Sequence, residues 1–172
     1  GVDISKDAIM YAKTKGNHNV RETDFLECNL KNNYYDVVCM WDTIEHLKSP
    51  NSYIAKVQKI LNNKGIFVFT TGDINSFVAK FRKHKWRMIH PPTHIHYFSK
   101  KSVCHILKAN NFKILSITYP GSHRTFDNIL YNLFILRKNM PWIYNFSKKI
   151  GITKYKIKIN LFDIMLVIAQ KQ

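Results

Sequence analysis

The sequence is poor in cysteine, in glycine and in acidic side chains, and it lacks a long apolar run. Its three cysteines, Cys28, Cys39 and Cys104, lie far apart and form no C-x-x-C pair. This spacing excludes a disulfide framework and indicates reduced thiols in a cytoplasmic protein. No uninterrupted apolar stretch reaches the roughly 18–20 residues that a membrane-spanning helix needs. We therefore expect no transmembrane segment.

Basic side chains outnumber acidic ones by 27 to 11, which gives a formal net charge of +16. Such an excess suits a protein that binds RNA or an anionic membrane surface. The basic residues are scattered, however, and cluster only within residues 81–87 and 154–159. A compositional bias explains this pattern at least as well as a binding surface does. A noncatalytic basic module for RNA or a membrane surface is therefore kept as an alternative that we do not favour.

Strand-like and helix-like stretches alternate over the first 72 of the 172 residues. Ser5 is typical of a helix N-cap, and the Ser49-Pro50 pair is typical of the start of a second helix. The stretch over residues 35–41 is apolar on both faces, as a parallel strand between two helix layers must be. The predicted strands are GVDIS (1–5), NVRETDF (19–25), YDVVCMW (35–41) and GIFVFTT (65–71). This alternation predicts an α/β, Rossmann-like, doubly wound sheet in a single domain.

The rhythm changes after Gly72. We expect a basic helix over residues 75–83, a helix that begins after Ser99, and strands over 113–119 and 161–170. The last strand is predicted to run antiparallel to the others. Residues 120–156 are rich in aromatic side chains and are predicted to be mainly helical, with Pro141 as a break.

Acidic residues follow three consecutive strands of the predicted sheet. Asp3, Asp24 and Asp42 each stand where a strand ends. Ligands of open α/β sheets bind at the carboxyl ends of the strands. A carboxylate there can accept hydrogen bonds from a ribose diol or from an adenine amino group. Each residue alone is also typical of a turn, but three in series favour a nucleoside-type cofactor.

The order of several longer stretches resembles a known family. They are GVDIS, TDFLE, YYDVVCMWDTIEHL, ILNNKGIFVFTT and PPTHIHYFSKKSVCHILKANNF, and they span most of residues 1–119. The chain resembles class I S-adenosylmethionine-dependent methyltransferases, in the type 11–23 group that includes ubiquinone-biosynthesis-like and surface-glycan-associated enzymes. The resemblance implies S-adenosyl-L-methionine as cofactor. The cofactor-binding residues that it implies are Asp3, Ile4, Asp24, Phe25, Trp41 and Asp42.

The chain departs from this family in one respect. The family's glycine-rich loop is not found, because none of the six glycines forms a G-x-G pattern. GVDIS matches the end of the family's second strand, so the first strand and that loop would lie upstream of residue 1. We therefore expect the chain to be an N-terminally truncated fragment.

The resemblance also implies an acceptor that receives the methyl group. We expect a small-molecule, glycan or lipid-linked acceptor and O- or N-methylation, with acceptor choice assigned to residues 73–98 and 120–158. The aromatic residues there, Trp86 and Phe98 among them, would supply apolar surface. The bases Lys80, Arg82, Arg87 and Arg124 could meet a carboxylate or phosphate. The candidate catalytic bases are His46, His94 and His96.

A metal site competes for the same histidines. His84, His90, His94 and His96 resemble a loose ligand cluster, and some ubiquinone-pathway relatives suggest a contribution from the Glu45-His46 pair. The sequence has no H-E-x-x-H pattern and no cysteine pair, so we expect no metal.

Overall fold

The computed structural model describes residues 1–172, with the exception of the side chain of residue 122. The α-helices are α1 (Lys6–Thr14), α2 (Pro50–Ile60), α3 (Phe77–Arg82), α4 (Lys100–Ala109), α5 (Phe126–Leu130) and α6 (Pro141–Lys149), with a π-helix at Tyr131–Arg137. Short 3-10 helices lie at Ile44–His46, Lys83–Lys85 and Ile152–Lys154. The strands are β1 (Val2–Asp3), β2 (Arg21–Glu22), β3 (Tyr35–Met40), β4 (Leu61–Gly72), β5 (Phe112–Thr118), β6 (Ser122–Thr125), β7 (Lys156–Ile159) and β8 (Ile164–Lys171).

The strands form three sheets. A four-stranded sheet has the order β3-β4-β8-β5, and β1 pairs with β2 in a separate parallel ribbon. The pairing of β3 with β4 is parallel, whereas β8 runs antiparallel to both β4 and β5. This topology confirms the predicted α/β class and its antiparallel last strand. The third sheet pairs β6 with β7 in antiparallel fashion. β6 lies within residues 120–156, which we predicted to be mainly helical, and β7 begins at the last of them, so that prediction was wrong in part.

A cavity of about 980 Å³ separates the β1–β2 ribbon from β3. We call it the sheet cavity; it is lined by residues of β1, of β3 and of the loops that flank β2. In the chain as the structure describes it, no strand lies between β1 and β3. One edge of β3 is therefore unpaired, and Val37 is 54% exposed. The prediction that β3 is buried on both faces was wrong for this reason.

The core lies between the four-stranded sheet and the helices α2 and α4. Apolar residues three or four positions apart place Ile54 and Val57 on one face of α2, and Val103 and Leu107 on one face of α4. All four are fully buried, together with the sheet residues Phe67, Phe69, Met165, Val167 and Ala169. Each large apolar side chain that is buried in this way contributes about 1.5–3 kcal/mol. No helix among the described residues is both long and apolar enough to cross a bilayer.

The segment after β4 is held onto the sheet by Trp86, which is 2% exposed. A Cβ atom at Gly72 would lie 3.0 Å from the Trp86 ring, so a glycine there permits this close approach. The indole Nε1 of Trp86 donates to Asp163 Oδ2 at 2.9 Å, and Arg87 Nη2 donates to Asp163 Oδ1 at 2.8 Å. Phe98 is also buried, at 8% exposure. Trp86 and Phe98 therefore belong to the core, which corrects their predicted place on an acceptor surface.

The Asp163 carboxyl is the acidic partner of this anchor. Burial by itself raises the pKa of Asp163, but the hydrogen bonds from Arg87 and Trp86 and the Arg87 charge outweigh burial and leave the pKa below its ordinary value. A carboxyl with a lowered folded-state pKa stabilises the protein above its unfolded-state pKa. That contribution is lost as the pH falls through the folded-state value.

We predict that Asp163→Asn lowers the free energy of unfolding at pH 7 by about 1–3 kcal/mol, because Arg87 loses charge-assisted hydrogen bonds. The difference from the native chain should shrink as the pH falls below about 4, where the carboxyl begins to protonate in the unfolded state. Urea unfolding at pH 7 and at pH 3 measures both values. A difference that is the same at the two pH values would contradict this assignment.

Candidate functional site

Asp3 ends β1 at the sheet cavity. Its Oδ1 accepts a hydrogen bond from the Ser5 amide at 2.7 Å, and the Ser5 hydroxyl in turn caps α1 by accepting from the Ala8 amide at 3.2 Å. The Asp3 side chain is exposed and lines the cavity, and its predicted contact with the ribose stays a prediction. The neighbouring Ile4 is 77% exposed and lies outside the residues that line the cavity.

Asp24 is engaged by a tyrosine. The hydroxyl of Tyr53 lies 2.8 Å from Asp24 Oδ1 and 2.9 Å from Oδ2, and the Leu26 amide donates to Oδ1 at 2.7 Å. Burial, followed by the hydrogen bond to Asp24, raises the pKa of Tyr53 to about 12. Phe25 stacks on Tyr53 with ring centroids 5.9 Å apart, and both rings line the sheet cavity. Asp24 thus orients an aromatic wall, and its predicted contact with adenine stays a prediction.

Trp41 and Asp42 follow β3 and line two different cavities. Trp41 is 58% exposed and lines the sheet cavity. Asp42 has a φ of +45°, in the left-handed region, and is held to β4 by Thr70. The Asp42 amide donates to Thr70 Oγ1 at 2.9 Å, and that hydroxyl donates to Asp42 Oδ1 at 2.7 Å. One strand end therefore contributes a neighbouring residue to the lining of each cavity.

The second cavity, of about 650 Å³, lies beside Asp42. We call it the arginine cavity because three arginines line it: Arg87, Arg124 and Arg137. Most of its other lining residues belong to or flank β6, α5, the π-helix, β7 and β8: Pro120, Gly121, Asn128, Ile129, Asn132, Leu133, Ile159, Asn160, Leu161, Asp163 and Ile164. Of the bases that we predicted for this role, Arg87 and Arg124 lie here, whereas Lys80 and Arg82 do not.

Glu45 is a buried carboxylate, at 2% exposure, in the short helix that follows Asp42. Its Oε2 accepts from the Thr71 hydroxyl at 2.9 Å. Its Oε1 is buried without a hydrogen-bond partner among the described residues. Leaving a buried polar atom unpaired costs about 1–3 kcal/mol, so this oxygen lowers the stability of the described fold.

His46 and His94 pack against each other beside Glu45, with ring centroids 4.5 Å apart. The Nδ1 atom of His46 lies 2.8 Å from the Thr93 carbonyl, and that of His94 lies 2.7 Å from the Met88 carbonyl. Because a carbonyl can only accept, each Nδ1 carries a proton and donates it to that carbonyl. The two imidazoles are thereby fixed in orientation.

The three predicted histidines lie together but outside the lining of both cavities. The backbone amide of His96 donates to the Glu45 carbonyl at 3.1 Å, and its Nε2 is buried without a described partner. Glu45, His46 and His94 each offer one ligand atom, and these atoms lie within 4.8 Å of one another. A divalent cation would find three ligands in this cluster. The expectation that the chain holds no metal stays a prediction.

Sequence reasoning did not assign Glu45 or Arg137 to the site. The sequence offers Glu45 only beside His46, as a contributor to a metal site that we do not expect. Arg137 carried no signal, because it reaches the arginine cavity through the π-helix, which no pattern predicted.

Three comparisons with known proteins bear on this site. The model of a family described as a methyltransferase domain matches residues 1–117. The YcgJ protein of Bacillus subtilis is similar, with 16% identity and a TM-score of 0.62 over 100% of this chain and 81% of that chain. A SAM-dependent methyltransferase of Archaeoglobus fulgidus has 19% identity and a TM-score of 0.63 over 99% of this chain and 75% of that chain. A SAM-dependent methyltransferase of Methanosarcina mazei has 16% identity and a TM-score of 0.62 over 99% of this chain and 80% of that chain. No curated protein matches this chain.

We predict that Glu45→Gln raises the free energy of unfolding by about 1 kcal/mol, because it removes a buried charge whose Oε1 has no described partner. Glutamine keeps the acceptor for Thr71. Urea unfolding at pH 7 measures the change, and Glu22→Gln on exposed β2 should shift the value by less than about 0.5 kcal/mol. A loss of more than about 1 kcal/mol at residue 45 would instead mean that Oε1 is satisfied in solution.

Proposed function

Because the chain belongs to the methyltransferase domain family, we propose that it methylates an acceptor bound in the arginine cavity. The chain is a class I S-adenosylmethionine-dependent methyltransferase, and its expected cofactor is S-adenosyl-L-methionine. The proposed acceptor is a small molecule, a glycan or a lipid-linked compound that receives the methyl group on oxygen or nitrogen. The observation that carries this proposal is that Trp41 and Asp42, adjacent in sequence, line two different cavities.

The residues around the sheet cavity fit the nucleoside part of the cofactor. Asp3 uses one carboxylate oxygen for the Ser5 amide, and Oδ2 remains to accept from a ribose hydroxyl. Phe25 and Trp41 offer aromatic surface to a flat base. The volume of about 980 Å³ is at the upper end of ligand pockets, which span about 300–1,000 Å³. We propose that Asp3, Phe25 and Trp41 hold the cofactor, with Ile4 and Asp24 as further candidates.

When bound, S-adenosyl-L-methionine supplies a methyl group on a positively charged sulfur. The chain's own task is to bring the acceptor atom into line with that group, and alignment alone can lower a barrier by several kcal/mol. The bridge between Asp42 and Thr70 fixes the end of β3 on which this alignment depends.

We propose that Asp42 also takes up the proton that an O–H or N–H acceptor loses. Its Oδ1 is held by Thr70, so the carboxylate has a fixed orientation at the wall of the arginine cavity. His46, His94 and His96 stay candidates for the same role. None of the three lines the arginine cavity, and Nδ1 of His46 and of His94 is bonded to a loop carbonyl, so Asp42 is favoured for this role.

The segments 73–98 and 120–158 are proposed to form the acceptor side of a single domain that spans residues 1–172. In the second segment, Arg124, Asn128, Leu133 and Arg137 line the arginine cavity, and in the first segment Arg87 does, which supports this proposal.

RNA binding and peripheral membrane contact stay predictions of the sequence. Trp142 and Phe146 on α6 and Ile150 directly after it are exposed and stand four residues apart. They support membrane contact, which co-sedimentation with phosphatidylglycerol vesicles would detect.

In the natural protein that contains this chain, we expect Asp3→Ala to weaken the binding of S-adenosylhomocysteine by about 1–3 kcal/mol, through the loss of charge-assisted hydrogen bonds to the ribose. Titration calorimetry measures the affinity. Asp7→Ala, an exposed carboxylate in the first turn of α1, is the matched control and should leave it unchanged. Equal affinities for both variants would remove Asp3 from the site.

We expect Asp42→Asn to slow methyl transfer by about 10²-fold or more, because the amide cannot take up a proton. Asparagine tolerates the left-handed backbone and keeps the acceptor for Thr70, so the fold should not change. Transfer of labelled methyl groups into the small-molecule fraction of a cell extract measures the rate. Asp36→Asn, on β3 and outside the lining of both cavities, is the control. Unchanged transfer by Asp42→Asn would exclude this role.

A further inference from the structure

The charges around the arginine cavity do not balance. Arg87, whose side chain is exposed, and the buried Asp163 form a two-point ion pair and neutralise each other. Asp42 contributes one negative charge, and Arg124 and Arg137 contribute two positive charges. Among the residues that the structure describes, neither Arg124 nor Arg137 donates a side-chain hydrogen bond or forms an ion pair. The cavity therefore holds two guanidinium groups whose donors are available.

Three successive elements each place a polar side chain at the cavity: the two arginines and one asparagine. Arg124 lies on β6, Asn128 on α5, and Arg137 at the end of the π-helix. The Asn132 amide donates to the Asn128 carbonyl at 2.7 Å, which fixes one turn of this segment. Single π-helical turns are rare and occur frequently at functional sites. The backbone here is thus of a kind that often carries ligand-binding side chains.

Five apolar side chains share the wall of the cavity with the two arginines and with Asn128, Asn132 and Asn160. Ile129, Leu133, Ile159, Leu161 and Ile164 line the same cavity as the two arginines. A ligand pocket of small-molecule size, with an apolar wall and a few polar groups, is the usual design of a specific site. Arginine binds carboxylate and phosphate with two parallel hydrogen bonds, which a neutral polar group cannot match.

We infer that the acceptor carries an anionic group, a carboxylate or a phosphate, on an apolar body, and that Arg124 and Arg137 bind this group. The inference rests on the proposed function, because it names the substrate class of the proposed acceptor site. Binding of the anion at the π-helix would leave the apolar body between the isoleucines and the end of β3, where Asp42 stands. The cavity then selects its acceptor by charge at one end and by shape along the wall.

The test uses four probes with the same six-carbon chain: hexyl phosphate, hexanoate, 1-hexanol and hexylamine. Each is titrated by calorimetry into the natural protein that contains this chain, with and without S-adenosylhomocysteine. At least one anionic probe should bind at least tenfold more tightly than 1-hexanol, and hexylamine should bind most weakly. Comparison of hexyl phosphate with hexanoate decides between phosphate and carboxylate. Equal affinity for 1-hexanol and both anions would overturn the inference.

Variants locate the binding site. Arg124→Gln combined with Arg137→Gln should weaken the preferred anion at least tenfold, which is about 1.4 kcal/mol. Arg124→Lys combined with Arg137→Lys should recover part of the loss, because it keeps the charge but not the two-point geometry. Lys80→Gln combined with Arg82→Gln removes the same charge outside the cavity and should have less than a threefold effect. Anion binding that is the same in the native and the glutamine variant would also overturn the inference.

The two proposals fail separately in this experiment. If the native protein does not bind S-adenosylhomocysteine, the proposed cofactor site is wrong, whatever the probes do. If it binds S-adenosylhomocysteine but does not prefer anions, the methyltransferase site stands and the anionic acceptor class is wrong.

Discussion

The hydrogen-bonded pair of Asp42 and Thr70 joins the end of β3 to β4, and the geometry of the site depends on it. Parallel pairing along Val37–Met40 and Ile66–Phe69 brings both strands to the same edge. The threonine hydroxyl then accepts from the Asp42 amide and donates to its carboxylate. The backbone turns left-handed at this point, which directs Trp41 and Asp42 to different cavities. This polar contact thus lies at the boundary between the buried part of the sheet and the candidate site.

Local patterns in the sequence predicted the elements that depend on local chemistry. Ser5 and Ser99 cap their helices through side-chain oxygens, and the apolar spacing of α2 and α4 buries the faces that it predicts. The position of Asp3 and Asp42 after strands was also predictable, because the carboxyl ends of parallel strands share an edge. These features involve residues that are close in sequence or a rule of topology.

Features that depend on distant partners could not be predicted in this way. Tyr53 lies 29 residues from Asp24, and Asp163 lies 77 residues from Trp86, so neither bond has a local signal. The aromatic content of residues 120–156 suggested helices, yet its two ends pair as β6 and β7. One edge of β3 is exposed because, in the described chain, β3 pairs only with β4. The apolar composition of β3 could not predict this. The arginine cavity could not be predicted either, because its lining residues come from distant parts of the chain, between Asp42 and Ile164.

The central claim is that the ends of β1 and β3 hold the cofactor and that the arginine cavity holds the acceptor. A crystal structure of the natural protein with S-adenosylhomocysteine tests this most directly. We expect the ribose to contact Asp3 and the sulfur end of the ligand to reach the Trp41–Asp42 strand end. A ligand that is bound elsewhere, with Asp3 and Trp41 free of contacts, would contradict it.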